Sequence, residues 1–307
     1  MEEEKRTTNK RTIWTIVIVA VVLGLLACCC IGIVLAAGTA RYTGARVWQN
    51  VPAAPELPEI LRAPALPESD EVRGSGQMVE REYALGNVNS VRLTIAADLT
   101  VRLGSQPSLH IRAEDNVIDL IEVQERGGDL GISMRSGIRI VRHGPIQLTL
   151  TVPSLRAITN MGSGQINGPD MNGAEVSIHV SGSGDVSVGR IEAGAVEIIA
   201  MGSGNVRAQG VAADRLKVNI SGSGSVYAGQ GKVTTQDLTL MGSGSYAAGE
   251  IASLRVSANI SGSGDARVQV SEELTGRLLG SGDLEYIGSP TLNANALGSG
   301  RVRQVGP

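Results

Sequence analysis

From about residue 160 onward, apolar and polar residues alternate in short runs, and the alternation breaks at fixed intervals. Gly-Ser-Gly begins at Gly162, Gly182, Gly202, Gly222, Gly242, Gly262, Gly280 and Gly298, spaced five times by 20 residues and twice by 18. At positions −6, −4 and −2 from a triplet stand Val176, Ile178, Val180; Val196, Ile198, Ala200; Leu216, Val218, Ile220; and Val256, Ala258, Ile260. An apolar residue at every second position marks a strand with one buried face. A further mostly apolar position falls four residues after each first glycine, at Ile166, Val186, Val206, Val226, Tyr246, Ala266, Leu284 and Val302. Each repeat therefore holds at least two short strands.

A unit this short cannot bury its own apolar face, so successive units must stack. The pattern predicts an all-β fold, a parallel β-solenoid of about eight coils of 18–20 residues, wound right-handed by the crossover rule. At about 4.8 Å per strand, seven intervals make a prism roughly 34 Å long. Glycine suits the corners because it reaches positive φ cheaply and, lacking Cβ, lets identical corners stack closely. The corner serines, Ser163 through Ser299, are expected to form a hydroxyl ladder. The residue before the triplet runs Met161, Ser181, Met201, Ser221, Met241, Ser261, Leu279, Leu297, a two-coil super-repeat in which a long Met leans over a short Ser. Glu197, Lys217 and Asp237 share one outward position, so opposite charges neighbour each other across the ladder.

Upstream, residues 78–152 alternate at Val91-Leu93-Ile95, Leu99-Val101-Leu103, Leu109-Ile111 and Ile146-Leu148-Leu150 without the triplet, and read as irregular first coils or a cap. The repeat solenoid proper is assigned to 153–307. Residues 38–77 hold five of the eleven prolines and read as an extended linker. Before it, 13–37 carries no charge and is long enough as a helix to cross a bilayer. Lys5, Arg6, Lys10 and Arg11 precede it, so residues 1–12 are expected in the cytoplasm and everything beyond the span outside the cell membrane. All three cysteines, Cys28, Cys29 and Cys30, lie within the run, which leaves none for an exported disulfide. Leu25-Leu26-Ala27-Cys28 loosely follows a lipobox, and the alternative anchor is a lipid on Cys28.

Composition narrows the function classes. With no Phe, 2% aromatic residues and 40 glycines, the core must be built from small and β-branched side chains. A net charge of −3 offers no basic footprint for nucleic acid. The glycine triplets lack the spacing and following helix of a phosphate loop. His110, His143 and His179 are scattered, so no metal, cofactor or catalytic residue is expected. Asp265 and Asp283, one coil apart with Glu285 nearby, are the one pair with a spacing suited to glycoside chemistry, but Arg267, Arg301 and Arg303 flank them and favour a charge-balanced end coil. Rows such as Asn219, Thr239 and Asn259 offer hydrogen bonds to a glycan or protein, though no particular binding residue is assigned.

The stretch Leu148 to Leu155 leading into Met161-Gly162-Ser163-Gly164, with Ser-Gly-Ser-Gly-Asp at 181–185 and 261–265 and the run Val91 to Asp115, resembles the bacterial putative auto-transporter adhesin family with the head GIN domain. The likeness covers about 78 to 307. It implies an exported β-solenoid-like fold and an adhesin-like role, and brings no catalytic residues. The chain differs from an auto-transporter in carrying its own apolar span and in showing no translocator barrel after the repeats. The expectation is a non-enzymatic, single-pass membrane protein that holds a β-solenoid at the bacterial cell surface to bind an unidentified protein or glycan. The alternatives are an envelope-stress or signalling accessory working with a membrane partner, and a polysaccharide-active β-helix enzyme.

Overall fold

The computed structural model describes residues 70–306. The expected span 13–37 and most of the linker lie outside the described residues, and among those described no helix is long and apolar enough to cross a membrane. Residues 70–73, assigned to the linker from sequence, instead form β1 (Asp70–Arg73), paired in parallel with β8 (Ile138–Arg142) as a separate two-stranded sheet. Four residues that borrow their partners from 65 or more positions away carry no periodicity of their own.

The next strands build the closed end of the solenoid. On one face β2 (Met78–Ala84) runs antiparallel to β5 (Ser108–Glu114), and β5 antiparallel to β9 (Gln147–Val152). β9 then pairs in parallel with β4 (Asp98–Leu103), and β4 with β11 (Ile166–Asn167), the first strand after a Gly-Ser-Gly corner. On another face β6 (Ile121–Arg126) runs antiparallel to β7 (Asp129–Met134), which continues in parallel through β3 (Ser90–Leu93) and β10 (Ala157–Asn160) to β12 (Met171–Val180). Two faces of the repeat are thus carried into the cap and ended by antiparallel strands, which stop further parallel stacking. The single helical turn α1 (Asp115–Ile118) closes this end by burying Val117 and Ile118. Between β3 and β4 the chain already turns as a corner, with Ile95 and Ala97 buried where the next coil has Gly162 and Gly164. A Cβ at either glycine would overlap the carbonyl of Ile95 or Ala97.

In β13 (Val186–Gly202) the buried apolar positions are Val186 and Val188, then Ile191, then Val196, Ile198 and Ala200. Alternation holds within each group and slips between groups, so one continuous strand bends into three faces. The same happens in β14 (Val206–Gly222), β15 (Val226–Gly242) and β16 (Tyr246–Gly262), whose register with one another is an unbroken shift of 20 residues. In β17 (Ala266–Gly280) the coil shortens to 18 because two residues are lost between Ala248 and Arg255 of the facing strand, which leaves the Gly262–Gly280 corner in step. β18 (Leu284–Ile287), β19 (Thr291–Gly298) and β20 (Val302–Gln304) complete the winding. The solenoid has about seven turns rather than eight, because eight triplets bound seven intervals and the last is followed by β20 alone.

The core is a set of aliphatic ladders running along the axis, one rung per coil. One coil interrupts them. Tyr246 is 1% exposed; its hydroxyl donates to Gln236 Oε1 at 2.8 Å, the Gln236 amide donates to Ser253 Oγ, and Ser253 donates to the Ile251 carbonyl at 3.3 Å. The buried polar groups satisfy one another, as they must in an apolar interior. Burial pushes the Tyr246 phenol up from its ordinary value.

Candidate binding surface

One long face, carried from β7, β3 and β10 through the second halves of β12–β17 to β19, has outward positions that fall into straight columns. Ser177, Glu197, Lys217, Asp237, Ser257 and Thr275 make one, and His179, Ile199, Asn219, Thr239, Asn259 and Arg277 the next. The row Asn219, Thr239, Asn259 is thus in register and lies at or near the surface. The expected charge ladder is in register but only its first step is an ion pair: Lys217 Nζ lies 2.8 Å from Glu197 Oε1, whereas Asp237, opposite Lys217 on the next coil, makes no ion pair with it; His179 Nε2 lies 4.0 Å from the other Glu197 oxygen. Beside these residues Arg156, Glu175 and Arg215 complete an open groove of about 360 Å³, which sequence reasoning missed because Arg156 lies before the first triplet, where no repeat marks its register.

Along one margin runs an apolar ridge. Met161, Met201 and Met241 are 51%, 50% and 51% exposed, and Leu279 and Leu297 continue the line at 44% and 62%. Met201 pairs with Ser221 and Met241 with Ser261, so methionines recur every second coil, about 9.6 Å apart. The methionines stand half in solvent above the intervening serines.

The corners work differently from the expected hydroxyl ladder. Ser223 N and Gly224 N both donate to the Gly202 carbonyl at 3.0 Å, and the later corners repeat the pattern, so backbone joins corner to corner. The side-chain ladder sits one residue beyond the triplet. Asn205 N donates to Asp185 Oδ1 at 2.8 Å, Ser225 N to Asn205 Oδ1 at 2.9 Å, Asp283 N to Asp265 Oδ1 at 2.8 Å and Arg301 N to Asp283 Oδ1 at 2.9 Å. A short polar side chain caps the next coil's amide, which explains why Asp, Asn and Ser recur there.

Asp265 and Asp283 belong to this ladder. Arg303 reaches Asp283 at 3.5 Å and Glu285 at 2.7 Å, and Arg267 lies 3.9 Å from Glu285, so Asp283 and Glu285 sit in an ion network. On the same face Arg207 stacks over the Tyr227 ring at 4.8 Å. The histidines are not brought together: His110 on β5 lies 3.4 Å from Glu80, His143 follows β8, and His179 is on β12. Among the described residues no group of three or more His, Cys, Asp or Glu is placed to hold a metal ion.

The sequence model of a family described as "Putative auto-transporter adhesin, head GIN domain" matches residues 87–290. The chain belongs to that family. No curated protein matches the chain. Among solved structures, a putative adhesin from Parabacteroides merdae is 19% identical with a TM-score of 0.68, and one from Parabacteroides distasonis is 18% identical with a TM-score of 0.63; each is covered over 100% of its length by 77% of this chain. A protein from Parabacteroides distasonis described as a putative lipid binding protein is 22% identical with a TM-score of 0.62, at the same coverage. At these identities the likeness establishes a shared fold for this head GIN domain chain.

Proposed function

We propose that this chain is a membrane-anchored, extracytoplasmic, adhesin-like module that presents the long face of a right-handed β-solenoid to a protein or glycan at the bacterial cell surface. The observation that carries the reading is the repetition of that face, whose columns pass through β13–β17 with the same outward positions in every coil. Donors and acceptors recurring every 4.8 Å or so suit an extended ligand that itself repeats. The family description, with its adhesin label, points the same way. The anchor in this reading is the uncharged run 13–37, with Cys28 lipidation as the alternative.

The role is non-enzymatic in this account, because Asp265 and Asp283 each give an oxygen to a neighbouring backbone amide. Binding of the purified full chain in detergent to glycan and cell-surface protein arrays tests the proposal. Retention on a restricted set of ligands, lost in N219K/T239K, is expected. A folded chain that binds none of them, or binds equally well in the variant, overturns it. The Met and Leu ridge favours a second reading, an apolar or acyl ligand, and one solved neighbour is described as lipid binding. Co-flotation with neutral lipid vesicles that M201S/M241S abolishes would select it.

A further inference from the structure

The two ends of the solenoid are built differently. At the closed end, antiparallel strands finish the faces that β3 and β4 carry into the cap. At the other end β19 pairs along one edge, with β17, and among the described residues nothing pairs with its second edge. All eight residues of β19 are exposed, including the inward positions Leu292, Ala294 and Ala296. Their counterparts one coil earlier show what these positions are for: Leu274 is 0% exposed and Leu278 1%. Leu292, at 45%, is a core side chain without a core above it.

Strand edges in solution are usually blunted by charge, proline or a bulge. Here no charged residue occurs from Tyr286 through Gly300, and β19 itself has no proline. We propose that β19 is a self-association surface, on which a second copy of this chain docks end to end with its own β19 antiparallel about a two-fold axis at Ala294.

That axis keeps inward residues with inward residues. It sets Leu292 opposite Ala296 of the second copy, Ala294 opposite itself, and Asn293 opposite Asn295, so the apolar interior continues across the joint while the asparagines pair outside. A neutral strand meets its own copy without like-charge repulsion. The choice of occupant follows from the core. A lone extended peptide would satisfy the β19 edge but leave its own inward side chains uncovered, whereas a second coil end brings a matching set of exposed rungs, and one contact buries both.

The test is the mass of the full chain in mild detergent by sedimentation, with hydrogen exchange on the same sample. The expected result is twice the 31.9 kDa chain mass, falling to one chain in A294K, unchanged in S223K at an exposed mid-solenoid corner, with the free-edge amides of 291–298, which alternate with those turned to β17, protected in the dimer alone. A monomer whose free-edge amides exchange freely overturns the proposal. So does a monomer in which they are protected, which would mean that the chain's own leader covers the edge. A dimer that survives A294K, or one that S223K also dissociates, places the contact elsewhere and equally overturns it.

Discussion

At Gly222 the backbone has φ of +135°, and the Gly202 carbonyl occupies the place a Cβ would take. The two effects add, so Gly222→Ala should lower stability by about 3 kcal/mol in urea unfolding. Gly137 has φ of +80° with open space around it, and G137A should cost about 1 kcal/mol. Equal losses at the two sites would mean that close stacking is not what the corner glycines serve. Tyr246 offers a second residue-level test. Removing its hydroxyl leaves Gln236 Oε1 buried without its donor, so Tyr246→Phe should destabilise by about 1–2 kcal/mol. The pH dependence has a definite sign. The folded phenol stays protonated above the value at which the unfolded one ionises, so its contribution is intact below pH ~10 and lost as pH rises beyond that. Y246F should therefore flatten the alkaline fall in melting temperature, and an unchanged fall would contradict the buried assignment.

At the scale of strands, neighbouring coils are joined by a backbone ladder reinforced by side chains of unequal weight. Asp185 accepts from both the amide and the side chain of Asn205, and Asp185→Ala should cost about 1 kcal/mol. The exposed Lys217–Glu197 pair should matter less, with K217A changing stability by under about 0.5 kcal/mol. The reverse order in a urea titration would show that charge, not amide capping, fixes the register. These contrasts also explain what could be read from the chain beforehand. Val196, Ile198 and Ala200 announce an inward face because every coil repeats them, and Glu197 and Lys217 announce an outward one. Gln236 stands where other coils have Val or Leu, and that exception was the available signal for the buried polar trio. Whether 78–152 were first coils or a cap stayed open because Leu109 and Ile111 alternate in the same way whether the neighbouring strand runs parallel or antiparallel. The open state of β19 was illegible for a related reason: Leu292, Ala294 and Ala296 follow the pattern of a covered coil, and only the absence of the next rung exposes them.

For the molecule as a whole, a stack of equivalent turns has near-neighbour energetics, so whole turns should be removable where fractions of one are not. Deleting residues 206–225 rejoins Asn205 to Val226 at equivalent positions, and the shortened chain should keep its strand content by circular dichroism and unfold cooperatively. Deleting 206–215 moves the next Gly-Ser-Gly corner, at Gly222, to the place of Ala212 in mid-coil, so every later corner falls half a coil out of step with those before it, and should abolish folding. The most direct measurement of the central claim, that equivalent residues 20 apart lie on adjacent rungs, is pairwise spin-label distances between exposed corner serines in a background with Cys28, Cys29 and Cys30 replaced by Ser. From Ser163, labels at Ser223, Ser243, Ser263 and Ser281 should give distances rising in equal steps of about 4.8 Å, to roughly 29 Å at Ser281. Distances that do not grow linearly with repeat number, or steps near 10 Å, would contradict a single parallel winding.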